Sequence, residues 1–356
     1  MKLITHSKST IGEDDIQSVS SVLKKGLLSQ GTAVNRFEEQ FSLYHAAKGG
    51  VAVSSGTAAL HMALLALGVG RSDRVIIPTY ACIAPYHAVR YTGAVPVLAD
   101  TVKDGWAMDA EWVEAYLKKR AKKKKVKAIV LVHLFGKPVE MEAFLDISKR
   151  YSVPIIEDCA LSLGAEYKGK KVGTFGQVSV FSFYATKVIT TGEGGMVIAN
   201  SKKLLKRIRN LREYDEKKDA GLRFNYKMTD IQAALGISQL KKLPVFIKKR
   251  RQIAKQYLQN LEALPLSLPE HSSQAKDIYY RFVVRIKNPD KFMRNMQKNN
   301  IVCRKPVFLP VHRTIQQRIL PNAEKLWKEA VSLPIYPLLE EDAVTRIIGC
   351  MRNVLK

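Results

Sequence analysis

The stretch VSSGTAAL at residues 53–60 joins a short apolar run to a segment rich in alanine and leucine. The run 51–53 predicts a strand, and the spacing of apolar residues in 57–67 predicts a helix. The first N–H groups of such a helix have no acceptor within it, and its dipole attracts negative charge. Because the side chains around Gly56 are small, we expect a phosphate to approach this helix start closely. The alternative is a plain helix cap provided by Ser55 or Thr57.

The same alternation of apolar runs and helical segments extends over most of the chain. Further strands are predicted at 75–77, 95–98, 128–134, 154–156, 178–183 and 196–198, the last two as a hairpin-like pair. Further helices are predicted at 11–24, 112–119 and 141–149. Strands that read as continuous apolar runs are typical of parallel sheets covered by helices on both faces. The sequence therefore predicts an α/β protein, with a three-layer α/β/α domain and a mainly parallel sheet over residues 1–244.

The pattern changes after Pro244. A basic helical segment is followed by a predicted strand at 280–286, a helix at 291–298 and a stretch punctuated by prolines up to Pro337. This change predicts a smaller α+β domain over residues 245–356, with the boundary between Lys241 and Ile247.

The composition is that of an ordinary globular protein. Apolar residues make up 46% and charged residues 25% of the 356 residues, which excludes collagenous and wholly disordered classes. The four cysteines form no CxxC pair and the seven histidines are scattered, so we expect neither a disulfide framework nor a metal site. The first residues lack the apolar core of a signal peptide, and the longest apolar runs are too short to span a bilayer. These features predict a cytoplasmic protein with no membrane partner.

The net charge is the unusual feature. Lys and Arg number 58 against 32 Asp and Glu, which gives a formal net charge of +26. Such an excess attracts polyanions, and it leaves open nucleic acid, an acidic membrane surface or a phosphorylated small molecule. The densest cluster is the lysine run at 122–125, which has no interleaved aromatic residue. We interpret this run as a solvated loop in preference to a nucleic-acid contact.

Two further segments place reactive side chains at predicted strand ends. Glu157 and Asp158 follow the run 154–156, and open α/β sheets bind ligands at the carboxyl ends of their strands. An aspartate in such a site is a strong partner for a cationic ring nitrogen, the alternative being a cap on the next helix. Lys187 lies between the run 178–183 and the glycine-rich turn 191–195. A lysine there can act as nucleophile or base, although taken alone it is typical of a surface residue.

Taken together, these motifs resemble those of the DegT/DnrJ/EryC1/StrS family, which are pyridoxal phosphate (PLP)-dependent sugar aminotransferases. The matching segments are IGE at 11–13, FEE at 37–39, SGTA at 55–58, ED at 157–158, SFYATK at 182–187, TGEGG at 191–195 and FNYKMTDIQAA at 224–234. The resemblance extends from about residue 9 to the C-terminus. Several long motifs in the family's order are far more specific than any one of them.

The resemblance implies a fold type I aminotransferase and a homodimer with shared active sites. It implies that Lys187 forms a Schiff base with PLP and moves a proton between substrate and cofactor, while Asp158 keeps the pyridine nitrogen protonated. The residues that it assigns to the cofactor phosphate are Gly56, Thr57, Ala58, Ser182 and, from the neighbouring subunit, Asn225. On weaker analogy, Glu193 and His312 are candidates for substrate contacts, and for His312 an ordinary loop role is an equal alternative.

Two of the departures from the family's pattern concern the cofactor, and the others are the segment 212–215 in place of a His-Gly pair and Lys227 in place of an arginine. Cys82 stands where most members have a Phe or Trp stacked on the cofactor ring, so that stacking is either lost or supplied by Tyr80 or another residue. Leu161 stands where Gln or His usually meets the cofactor's phenolic oxygen, and Ser162 replaces it only in part. These changes leave amino transfer intact but bear on cofactor affinity.

The function that the resemblance implies is amino transfer, with L-glutamate as donor, to a keto group of a nucleotide-linked sugar. Lys187 favours this reaction over dehydration, because dehydrating relatives carry at that position a histidine, which cannot form the Schiff base. The alternatives are a PLP-dependent sugar dehydratase, an amino-acid aminotransferase and a nucleic-acid-binding regulator on the same scaffold. We expect no nucleic-acid partner, since the +26 charge also suits two phosphorylated ligands.

Overall fold

The computed structural model describes residues 2–120, 126–270 and 272–355, so the lysine run 122–125 lies outside the described residues. The helices are α1 (Glu13–Lys25), α2 (Thr32–Tyr44), α3 (Gly56–Ala66), α4 (Ala84–Tyr91), α5 (Ala110–Arg120), α6 (Met141–Tyr151), α7 (Lys202–Arg212), α8 (Asp230–Leu261), α9 (Pro289–Lys298), α10 (Val311–Thr314), α11 (Pro321–Glu329) and α12 (Glu341–Val354). The strands are β1 (Gly50–Val53), β2 (Arg74–Pro78), β3 (Val95–Ala99), β4 (Val126–Val132), β5 (Ile155–Asp158), β6 (Glu166–Tyr167), β7 (Lys170–Lys171), β8 (Val178–Ser182), β9 (Gly195–Ile198), β10 (Ala275–Lys276), β11 (Phe282–Arg285) and β12 (Ala330–Leu333).

Within the described residues, seven strands form the central sheet in the order β1-β9-β8-β5-β4-β2-β3. Strand β9 is antiparallel to β1 and β8, and the other neighbours run parallel. Helices α3, α4 and α7 cover one face, whereas α2, α6 and the first half of α8 pack against the other. Because both faces are covered, the strands carry continuous apolar runs. The predicted α/β class, the mainly parallel sheet and the β8–β9 pair are thereby confirmed.

Helix α8 crosses the predicted domain boundary without a break, with Pro244 inside it. Leu243 and Ile247 pack against the layer that covers the large sheet. Ile253 and Tyr257, further along the same helix, belong to a separate core that also contains β11 and β12. We therefore propose that the division between the two parts of the chain falls within α8.

The first residues of the chain pack against the C-terminal part. Ile4 forms a parallel bridge with Ile301 and is buried in the core of that part. His6 is also buried, with Arg281 2.6 Å from its Nδ1 and the Ser332 hydroxyl 2.9 Å from its Nε2. Residues 2–8 therefore join the C-terminal part in space, although sequence order separates them by the whole large sheet.

Among the described residues, no helix combines the length and the apolar character needed to cross a membrane.

The buried His6 imidazole makes stability depend on pH. Burial, and next the positive charge of Arg281, lower the pKa of His6 from 6.5 to about 3. Between these values the unfolded chain binds more protons than the folded chain. The stability that the neutral His6 contributes is therefore fully present above pH 6.5 and is lost as the pH falls toward 3. We predict that His6→Gln gives a shallower fall in the free energy of unfolding over this range, measured by urea denaturation.

The matched control is His87→Gln, because His87 is exposed. This variant is expected to keep the pH slope of the wild-type protein. An unchanged slope in His6→Gln would contradict the assignment of a neutral, buried His6.

Candidate active site

The start of helix α3 lies against the end of strand β8. Ser55 caps α3, and its Oγ accepts a hydrogen bond from the N–H of Ala58 at 3.1 Å. The N–H groups of Gly56 and Thr57, in the first turn, have no acceptor inside the helix. A Cβ placed on Gly56 would lie 2.7 Å from Cβ of Ser182, so only glycine allows the Ser182 hydroxyl this close to the helix start. Backbone N–H groups beside a hydroxyl form a donor set that suits a phosphate.

Asp158 ends strand β5 and is 4% exposed. Its Oδ1 accepts a hydrogen bond from the N–H of Ala160 at 3.0 Å. Burial raises the pKa of Asp158, whereas this N–H and the charge of Lys187 lower it. A carboxylate oxygen accepts more than one hydrogen bond, so this group retains capacity for a cationic N–H donor.

Lys187 lies in a loop that contacts two distant parts of the chain. The Ser9 hydroxyl donates to the carbonyl of Ala185 at 2.5 Å, and the Thr186 hydroxyl lies 3.4 Å from the Tyr280 hydroxyl. Nζ of Lys187 is 5.6 Å from the centre of the Tyr280 ring, within the range of a cation–π contact. Burial alone would raise the pKa of Tyr280, but the charges of Arg281 and Lys187 outweigh it and lower that pKa. Ser9 and Tyr280 are contacts that the sequence motifs do not reveal.

Cys82, unlike Tyr80, is exposed near Asp158 and Lys187, and the surroundings of these three residues are called the cleft below. Tyr80 is wholly buried, with its ring 5.6 Å from that of Trp106 and 6.4 Å from that of Phe135, measured between centroids. Cys82 is exposed. The crowded surroundings and the Asp158 carboxylate raise the pKa of the Cys82 thiol, and Lys187 lowers it in part. The structure therefore brings Cys82 close to the two charged groups of the cleft.

The candidates at position 161 and its neighbour differ in exposure. Leu161 is partly exposed and packs against both cores of the large sheet. Ser162 is fully buried, so its hydroxyl does not border the cleft.

The remaining predicted residues differ in exposure. Asn225 and Glu193 are exposed, Asn225 in the extended segment that precedes α8. His312 is buried, and its Nδ1 lies 2.8 Å from the Thr79 hydroxyl. Its Nε2 lies 3.3 Å from the Glu324 carboxylate, so both ring nitrogens are engaged within the chain. The structure does not bring His312 to the cleft surface with Lys187.

Three potential metal ligands lie together behind the cleft. Ligand atoms of His133, Glu157 and Cys159 are within 4.8 Å of one another. Glu157 and His133 are hydrogen-bonded to each other and to neighbouring backbone groups. Burial raises the pKa of Cys159 well above its ordinary value, and a protonated thiol is a poor ligand. The arrangement is accounted for by hydrogen bonding and gives no reason to invoke a metal.

Comparison with known sequences identifies relatives along almost the whole chain. The model of the DegT/DnrJ/EryC1/StrS aminotransferase family matches residues 9–352. GDP-perosamine synthase of Escherichia coli O157:H7 is 36% identical over 333 residues, which cover 90% of this chain and 89% of the relative. The spore coat polysaccharide biosynthesis protein SpsC of Bacillus subtilis is 31% identical over 383 aligned positions. The alignment covers 99% of this chain and 97% of SpsC.

Two solved structures also match almost the whole chain. The aminotransferase TlmJ from Streptoalloteichus hindustanus superposes with a TM-score of 0.93 at 28% identity, with 99% of each chain covered. DesV from S. venezuelae superposes with a TM-score of 0.90 at 31% identity, with 96% of this chain and 94% of DesV covered.

The contact between Gly56 and Ser182 predicts the result of a small substitution. We expect Gly56→Ala to destabilise the fold by about 1–3 kcal/mol, because the added methyl group must push α3 away from β8. Chemical denaturation measures the change. Gly70→Ala is the matched control, since a Cβ at Gly70 meets nothing within 4 Å. Equal stability of the two variants would contradict the close approach described here.

Proposed function

This chain belongs to the DegT/DnrJ/EryC1/StrS aminotransferase family, and we propose that it moves an amino group from L-glutamate to a keto group of a nucleotide-linked sugar. It is a PLP-dependent sugar aminotransferase of fold type I, as the sequence predicts. The dehydratase, amino-acid aminotransferase and nucleic-acid-binding alternatives receive no support from the relatives. The observation that carries the proposal is the family match over residues 9–352, together with the buried Asp158 at the end of β5, whose pKa the charge of Lys187 lowers.

The groups around the cleft fit PLP. The glycine at position 56 leaves room for a phosphate between the first turn of α3 and the Ser182 hydroxyl. We assign the phosphate to the N–H groups of Gly56 and Thr57 and to that hydroxyl. Ala58 already donates to Ser55, so its contact with the phosphate stays a prediction.

Asp158 and Lys187 would have different roles in the reaction. PLP, when bound, supplies an electron sink for the charge left on a substrate carbon that loses a proton. Asp158 would accept a hydrogen bond from the ring nitrogen, and its burial would strengthen this interaction because water does not compete. Lys187 would hold the cofactor through Nζ and, when its amine is free, would move the proton between carbons of the substrate and the cofactor. The Tyr280 ring and Thr186 hold the Lys187 loop in place for both roles.

A second copy of the chain completes the proposed site. Asn225 is exposed in the single chain. Such exposure is required of a residue that contacts the phosphate held by the neighbouring subunit. Large apolar side chains near it and near Lys187 are also exposed, namely Tyr184, Tyr214 and Leu222. Exposed apolar patches of this kind mark interfaces. We propose a homodimer in which these side chains are covered.

The substrate class follows from the relatives and from charge. GDP-perosamine synthases are named for a nucleotide-linked sugar. A net charge of +26 favours the approach of a sugar linked through a diphosphate. Glu193, exposed within the glycine-rich turn, remains the proposed contact for the sugar, and the cytoplasmic location remains a prediction.

The covalent role of Lys187 is tested by trapping. We predict that the purified protein takes up about one PLP per subunit and that borohydride fixes the cofactor to the peptide containing Lys187, as read by mass spectrometry. Lys187→Ala is expected to release all cofactor on denaturation after the same treatment. Lys170→Ala, which removes an exposed lysine, serves as the control and keeps the label. A label on a different lysine, or no uptake of PLP by the wild-type protein, would refute the assignment.

Cys82 allows a test of ring stacking. We predict that Cys82→Phe lowers the dissociation constant of PLP by about two- to tenfold, because aromatic stacking contributes about 0.5–1.5 kcal/mol. Fluorescence titration measures this constant. Cys82→Ala adds no ring and should stay close to the wild-type value. Weaker binding by Cys82→Phe would mean that Cys82 does not face the cofactor ring.

A further inference from the structure

Glu157 is a fully buried carboxylate that the proposed reaction does not use. It accepts hydrogen bonds from the N–H groups of Gly173 (2.8 Å), Phe175 (2.7 Å) and Gly176 (2.6 Å), from the Ser179 hydroxyl (3.3 Å) and from Nε2 of His133 (3.1 Å). Burial alone would raise the pKa of Glu157, but His133 and the backbone N–H groups outweigh burial and lower it. A charge desolvated to this degree is retained only where several donors hold it.

The partner of this carboxylate is a neutral histidine. The N–H of Val139 donates to Nδ1 of His133 at 3.0 Å, so the ring proton lies on Nε2 and points to Glu157. His133 is itself 0% exposed. The pair is therefore held by directed hydrogen bonds, and its geometry is fixed by the loops on both sides.

The same two residues also hold Asp158. Glu157 and Asp158 are neighbours on β5, so their side chains point to opposite faces of the sheet. The backbone N–H of His133 donates to the carbonyl of Asp158 at 3.1 Å, while its ring reaches Glu157. On the other side, the N–H of Cys159 donates to the carbonyl of Val180 at 2.8 Å. The Glu157–His133 pair therefore fixes the position of the end of β5 from the face of the sheet opposite the Asp158 side chain.

We propose that Glu157 and His133 are positioning residues that act through Asp158. By fixing the last residue of β5, they hold the Asp158 carboxylate where it meets the ring nitrogen of PLP. This inference rests on the proposed function, and it assigns a role in that function to a buried pair on the face of the sheet away from the cleft.

A double-mutant cycle tests the proposal. The variants are Glu157→Gln, Asp158→Asn and the double variant, and the readouts are the dissociation constant of PLP and the visible circular dichroism of the bound cofactor. We expect Glu157→Gln to weaken PLP binding about tenfold and to change the dichroism, but to change affinity less than about twofold when Asp158 is already Asn. A purely structural role would weaken binding by the same factor in both backgrounds.

Glu38→Gln is the matched control. Glu38 is also buried and hydrogen-bonded, to the Ala52 N–H and to Arg212, but lies on α2. It should leave PLP affinity within about twofold of wild type. If Glu157→Gln does not fold, as judged by thermal unfolding, His133→Gln carries the same cycle with Asp158→Asn. Failure of both to fold would show that the pair is needed for folding itself and would overturn the positioning role.

The outcomes distinguish a failure of the proposed function from a failure of the positioning role. A wild-type protein that takes up no PLP would end both the proposed function and this inference. A wild-type protein that binds PLP, with Glu157→Gln unchanged in affinity or equally weakened in both Asp158 backgrounds, would overturn the inference alone.

Discussion

The close approach of helix α3 to the end of strand β8 is the constraint on which the site depends. With any side chain at position 56, the helix start and the Ser182 hydroxyl move apart, because a Cβ there would lie 2.7 Å from Cβ of Ser182. The approach is available because parallel strands deliver their carboxyl ends, and the helices that follow them, to one edge of the sheet. The same edge receives Asp158 from β5.

Burial gives these groups their chemical character. The Asp158 carboxylate is removed from water and, among the contacts described above, accepts one hydrogen bond, from the N–H of Ala160, so we propose that the ring nitrogen of PLP supplies a second donor. Lys187 is held from the other side by a loop that the first residues of the chain and Tyr280 fasten. Different parts of the chain therefore position the carboxylate, the amine and the start of α3, where we propose that the phosphate binds. We propose that Cys82, which lies near Asp158 and Lys187, leaves one face of the cofactor ring without the aromatic side chain that the sequence comparison expects at this position.

Much of this architecture was predictable from local sequence, and the reasons are physical. Continuous apolar runs revealed the strands because both faces of the sheet are covered, and the motif around Lys187 revealed the amine because its residues are contiguous. The Glu157–His133 pair and the contact of Ser9 with Ala185 escaped prediction, because each joins residues that only the folded chain brings together. The sequence left open whether Tyr80 supplies the ring stacking that Cys82 lacks, and the burial of Tyr80 beside Trp106 is visible only in the folded chain. The boundary predicted at residue 244 falls inside α8. A proline such as Pro244 can lie within a helix when packing on both sides of it holds the helix together.

The central claim is that the chain transfers an amino group through a cofactor held by Lys187 and Asp158. The most direct measurement is the 2-oxoglutarate released when L-glutamate is added to the PLP-loaded protein without a sugar substrate. The account predicts a single turnover, with about one equivalent released per subunit, and none from Lys187→Ala, because Lys187 moves the proton in this half of the reaction. A PLP-loaded wild-type protein that releases no 2-oxoglutarate would contradict L-glutamate as the donor. Equal release by Lys187→Ala would contradict the role given to the lysine.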